Sequence, residues 1–106
     1  MGETLGLTDL TARFVEARLE AALDADEAGD ILHALSETER ALAADPREPR
    51  AHALAAVYSA LLERERAALR HARKALAVTP TTAEICYWCG VARHIIGAQE
   101  SALEAL

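Results

Sequence analysis

Apolar residues recur along this chain at the spacing of helices rather than of strands. Between 49 and about 62, Ala53, Leu54, Val57, Tyr58 and Leu61 repeat at three- and four-residue intervals, the mark of one helical face. After the polar stretch Glu63-Arg64-Glu65-Arg66 a second stripe follows: Ala68, Leu69, Ala72, Ala75 and Leu76, ending before Pro80. Upstream, the pattern predicts a long helix from about Thr8 that stops at Gly29, and another from about Asp30 to Ala44. Downstream, Thr81-Thr82-Ala83-Glu84 has the form of a capping box, in which a Thr hydroxyl accepts the N3 amide and Glu84 reaches back. The helix it opens is expected to run to Ile96 and stop at Gly97, because glycine readily takes the left-handed turn that closes a helix. A short sixth helix would then fill the remainder.

The stripes repeat. Pro46 and Pro80 stand 34 residues apart, and each closes a similar phrase, Ala41-Leu42-Ala43-Ala44-Asp45-Pro46 and Ala75-Leu76-Ala77-Val78-Thr79-Pro80. At the same interval come Ala34, Ala68 and Ala102, then Leu35, Leu69 and Leu103, then Ala22, Ala56 and Gly90, then Gly29, Glu63 and Gly97. A fixed period of this size is the signature of stacked supersecondary units. The expected fold is all-α, an array of antiparallel helix pairs amounting to about two and a half repeats and five to six helices. It forms one domain over 1–106, with units at about 15–48, 49–82 and 83–106 and an N-terminal extension at 1–14.

Composition narrows the picture. Of 106 residues 25 are Ala, with one Phe, one Trp and two Tyr, which favours closely packed helices over strands. The net charge of −6 disfavours nucleic acid, whose phosphates call for surplus Lys and Arg. No apolar run reaches the roughly 18 residues of a membrane span, and the N-terminus lacks a basic region followed by an apolar one. A cytoplasmic chain is expected.

With Val15, Pro49 and Ala83 as first positions, the chain resembles the tetratricopeptide repeat family over roughly residues 15–106. The family's small first-helix residue falls on Ala22, Ala56 and Gly90, its Gly-Asp turn on Gly29-Asp30, its second-helix alanine on Ala34, Ala68 and Ala102, and its proline on Pro46 and Pro80. Arg18, His52 and Cys86 stand where the family has Trp, and Thr38 and Ala72 replace its second-helix aromatic. The resemblance implies a concave surface, made by the inward faces of the first helices, that takes peptides. Unit one offers Glu16, Leu19, Leu23, Asp26 and Glu27; unit two Arg50, Ala53, Val57, Ala60 and Leu61; unit three Glu84, Tyr87, Val91, His94 and Ile95. Family grooves that clamp a carboxylate use several Lys and Arg there, and only Arg50 is present. An amphipathic partner helix suits this apolar strip. Its occupation by the N-terminal segment or by self-association is the competing expectation. In size, acidity and degenerate repeats the chain is also similar to the helical-repeat chaperones of bacterial type III secretion that hold a needle subunit.

Other chemistry has little footing in the sequence. Cys86-Tyr87-Trp88-Cys89 is a C-x-x-C, but Cys86 lies about four residues past the helix cap, outside the position where helix amides activate a thiol. A zinc site needs two further ligands, and His94 is eight positions along the same helix, about 12 Å away. Core packing is expected for both cysteines, with a redox or metal role as the alternative. His33, His52, His71 and His94 form no H-x-x-x-H pair and are expected at surfaces or helix ends. Ser59 and Ser101 lack a nucleophile elbow, and Asp24, Asp26 and Glu27 read as a solvated helix end. Arg64, Arg66, Arg70, Arg73 and Lys74 read as a solvating stripe. No enzyme activity and no cofactor are expected. The apolar end at Ala102, Leu103, Ala105 and Leu106 is expected either to be trimmed or to be covered by a second chain, giving a homo- or hetero-oligomer.

Overall fold

Local signals set most of the helix boundaries. In the computed structural model, which describes residues 6–105, five α-helices follow one another: α1 (Leu7–Glu27), α2 (Ile31–Ala44), α3 (Pro49–Leu61), α4 (Glu65–Leu76) and α5 (Ala83–Glu104). No strand occurs among the described residues. Asp30 caps α2 by accepting the His33 amide at 3.1 Å, and Pro49 opens α3, where its missing N–H costs nothing. Thr82 caps α5 by accepting the Ile85 amide at 3.2 Å. The cap therefore sits one residue later than a reciprocal box with Glu84 requires, since Glu84 becomes the second helical residue.

The Gly29, Glu63, Gly97 column meets three different fates. At Gly29, φ is +80°, with Gly29 N–H donating to Asp26 O and Asp30 N–H to Ala25 O, the paired bonds of a Schellman closure. The same closure forms at Glu63: φ is +61°, Glu63 N–H donates to Ala60 O, and Arg64 N–H to Ser59 O. A β-carbon is strained there, yet the turn holds because α4 buries Ala68, Ala72 and Ala75 once it folds back. At Gly97 no turn forms, and α5 runs straight through to Glu104, which corrects the expected stop and removes the sixth helix. Ala98 offers no capping oxygen to open a new helix after Gly97. The straight course is anchored by Gln99 Nε2, which donates to Ala60 O at 2.9 Å.

These fates predict three small substitutions with different signs. Glu63→Gly should stabilise by about 1 kcal/mol by relieving the left-handed strain. Gly97→Ala should stabilise by about 0.5–1 kcal/mol, since a methyl meets nothing within 4 Å in a helix interior. Gly29→Ala should destabilise by about 1 kcal/mol. Urea unfolding midpoints of the three variants decide the set; a destabilising Gly97→Ala would mean that α5 breaks there in solution.

α1 packs on α2, α3 on α4, α2 on α3, and α5 along both α3 and α4, in an array with extents of 67 × 30 × 20 Å. The central helix is buried on every side: each residue from Ala51 to Ala60 lies in the core. Five of these ten are Ala, whose small side chains let the neighbouring helices approach. Tyr58 is the largest fully buried side chain. α1 starts at Leu7, so residues 7–14 of the expected extension continue that helix. They leave Leu7, Leu10 and Phe14 exposed rather than folded over the first-helix face. Residues 1–5 and Leu106 lie outside the described residues.

Candidate functional site

Two side-chain contacts join the first helices α1 and α3, between residues 34 and 32 positions apart. Arg50 Nη2 lies 2.8 Å from Glu16 Oε2 near one end, and Tyr58 approaches Asp26 near the other. The Arg50 hydrogen bond and charge hold the Glu16 carboxyl below its usual range; Glu16 and Glu48 together keep Arg50 firmly charged against its partial burial. Arg50 is thus neutralised within the chain and has little to offer a partner's carboxylate.

Of the other residues assigned to this face, Leu19 and Ala53 are core residues. Val57 sits at the edge of the core, and Val91 and Ile95 are half-buried against it. Leu23, Leu61 and Tyr87 are open to solvent at 39, 43 and 68% exposure. Glu84 and His94 are exposed. Of the apolar residues assigned to this face, Leu23, Leu61 and Tyr87 therefore remain accessible, with Val57, Val91 and Ile95 partly or wholly covered.

The positions where the resembled family carries Trp hold polar pairs instead. Arg18 Nη1 donates to Glu37 Oε1 at 2.8 Å, and His52 Nδ1 lies 2.9 Å from His71 Nδ1. Both pairs join a first helix to its second helix across 19 residues, and one pair maps onto the other by a shift of 34. His52 is therefore buried and His71 half-buried, which corrects the expected surface placement. Pro46 O, 2.7 Å from His52 Nε2, can only accept, so the proton of a neutral His52 sits on Nε2 and His71 Nδ1–H donates to His52 Nδ1. His33 bonds Glu37 at 3.1 Å, and His94 stays on the surface.

One more shift of 34 accounts for the cysteines. Cys86 occupies the position of Arg18 and His52, but among the described residues no second helix of unit three faces it, and Cys86 is exposed. That overturns core packing for Cys86. Cys89 is buried, its Sγ directed at Ala72 O 3.8 Å away, and burial pushes its thiol up and away from reactivity. Among the described residues no three His, Cys, Asp or Glu side chains gather as metal ligands, and no helix is long and apolar enough to cross a membrane.

Burial, with the nearby His52, Arg70 and Lys74, pushes His71 down from 6.5 to about 4. The unfolded chain then holds a proton on this residue that the folded chain lacks throughout that interval. Stability from neutral His71 is present above pH 6.5 and is lost as pH falls towards about 4. Because solvent screens part of the site, the loss should be on the order of 1–2 kcal/mol. Urea unfolding of the chain and of His71→Gln over this window measures it: the difference between them should shrink as the pH falls.

No protein-family model, curated protein or solved structure matches the chain. What the geometry defines is a class: an all-helical array of packed helix pairs.

Proposed function

We propose that the chain is a non-catalytic binding module of the tetratricopeptide-repeat kind that shields an amphipathic helix of a partner protein. The observation that carries this reading is the exposure of Leu23, Leu61 and Tyr87 on the first-helix face, beside the half-buried Val91 and Ile95. A soluble monomer gains nothing from such a strip, whereas a partner helix would bury it through anchors at helical spacing. The contact would cover roughly 600–1,000 Å² on each side. The acidity and the 34-residue period support a narrower version, a cytoplasmic chaperone of a type III secretion needle subunit.

Co-purification from the source cell tests it with a paired control. Leu61→Glu and Tyr87→Glu place charges on exposed positions and should leave helix content unchanged by circular dichroism. A small helical protein held by the unaltered chain and released by both variants is expected. Identical captures by all three chains would sink the proposal.

Self-assembly is the second reading, favoured by Leu7, Leu10 and Phe14 along one exposed side of α1 and by exposed Leu103 on α5. Solution mass across a dilution series separates the two. A binding module keeps the mass of one chain, and a self-assembling chain does not.

A further inference from the structure

A cleft of about 560 Å³ opens between the α2–α3 turn and the C-terminal end of α4, lined by Pro46, Arg47, His52, Lys74, Ala77 and Val78. We propose that it binds a small organic anion, a phosphate or carboxylate group carried on an apolar body, with Arg47 and Lys74 gripping the charged end. The site is separate from the apolar strip, because Lys74, Ala77 and Val78 belong to or follow a second helix and Arg47 belongs to a turn.

The two ends of such a ligand are both provided for. Pro46, Ala77 and Val78 form an apolar lining, and the volume falls within the range usual for small-molecule sites. Arg47 and Lys74 bring two cations from different elements. Neither has a carboxylate partner among the described residues, a state they share with most of the chain's other cations, so what sets them apart is that both line one cleft. The acidic residues flanking Arg47 in sequence are otherwise engaged: Asp45 accepts the Arg47 amide, and Glu48 accepts from Arg50.

The wall is rigid before any ligand arrives. His52 donates from Nε2 to Pro46 O at 2.7 Å and accepts from His71 at Nδ1, so the α2–α3 turn, α3 and α4 are pinned together at this point. A preformed cleft spares a ligand the cost of ordering it. His71 provides a built-in reporter. It is kept neutral by burial, by His52 of α3, and by Arg70 and Lys74 of its own helix. An anion beside Lys74 offsets that positive field, and the proton affinity of His71 should rise on binding.

The test is titration of the full chain with phenyl phosphate and, separately, phenylacetate. Calorimetry and the ring-proton resonances of His52 and His71 are the readouts, at about 0.15 M salt. Saturable binding of either probe is expected, and which one binds more tightly identifies the anionic group. Lys74→Glu and Arg47→Glu, both exposed positions, should each weaken it at least about tenfold with helix content intact. The midpoint of the His71 titration should move up from about 4 in the saturated protein. Failure of both probes to saturate by about 10 mM overturns the proposal. So does undiminished binding by Lys74→Glu, or equal binding of uncharged benzyl alcohol.

Discussion

Tyr58→Ala should destabilise the chain by about 3–5 kcal/mol, while Tyr58→Phe should be neutral or stabilise by up to about 1 kcal/mol. Tyr58 has no exposed surface and lies in the helix buried on all sides, where Ala at five of the ten core positions leaves little side chain to close the cavity its removal would create. The loss would be a large part of the roughly 5–15 kcal/mol that stabilises a domain of this size. The phenolic oxygen tells a different story. It is buried and close to Asp26, but no partner lies in hydrogen-bonding geometry. Burial first, and then the charge and closeness of the Asp26 carboxylate, raise the phenol's pKa, so it stays protonated. Urea unfolding of both variants gives the two numbers. A loss above about 1 kcal/mol for Tyr58→Phe would show that the hydroxyl is bonded in solution.

Glu37→Ala should cost about 2–4 kcal/mol, and much of that loss should return in the double variant Arg18→Leu/Glu37→Leu. Glu37 is nearly buried and collects Arg18 at 2.8 Å, His33 at 3.1 Å and Arg40 at 3.3 Å. Burial alone would push its carboxyl up; the bonds from His33 and Arg18 and the charges of Arg18 and Arg40 outweigh it and hold the pKa below 4.5. Its contribution is therefore present above pH 4.5 and is lost as pH falls further. Removing Glu37 strands Arg18, whose Nε is already buried without a partner and whose guanidinium lies 5.6 Å from the Phe14 ring centroid. Replacing both residues by Leu leaves no charge to strand. A double-mutant cycle by chemical unfolding should show a coupling of about 1–3 kcal/mol; additive losses would mean that the pair does not form.

How much of this was legible beforehand varies residue by residue. Alanine content, the three- and four-residue spacing and the 34-residue period carried the all-helical pairs, their order and the turn at Gly29, because helix propensity and left-handed glycine act within a few residues. The 19-residue partnership of Arg18 with Glu37 and of His52 with His71 was also present as a doubled column at positions 18/52 and 37/71. Periodicity alone did not say that the two columns face each other. The first-helix face was legible as a set of positions, but not the division between buried Leu19 and Ala53 and exposed Leu23, Leu61 and Tyr87.

By itself, the sequence determined which segments are helical, where most of them start and stop, and that they stack as repeated pairs. Only the tertiary structure decided what equivalent residues do. Glu63 accepts a strained turn because α4 has a core to return to, while Gly97, better suited to turning, stays helical in a helix that Gln99 ties to Ala60 O. Arg18 and His52 are paired because a second helix faces each of them, whereas among the described residues none faces their counterpart Cys86, which is exposed. A repeat dictates local conformation equally in every unit, but the burial that stabilises a turn or a buried polar pair comes from the neighbouring helix.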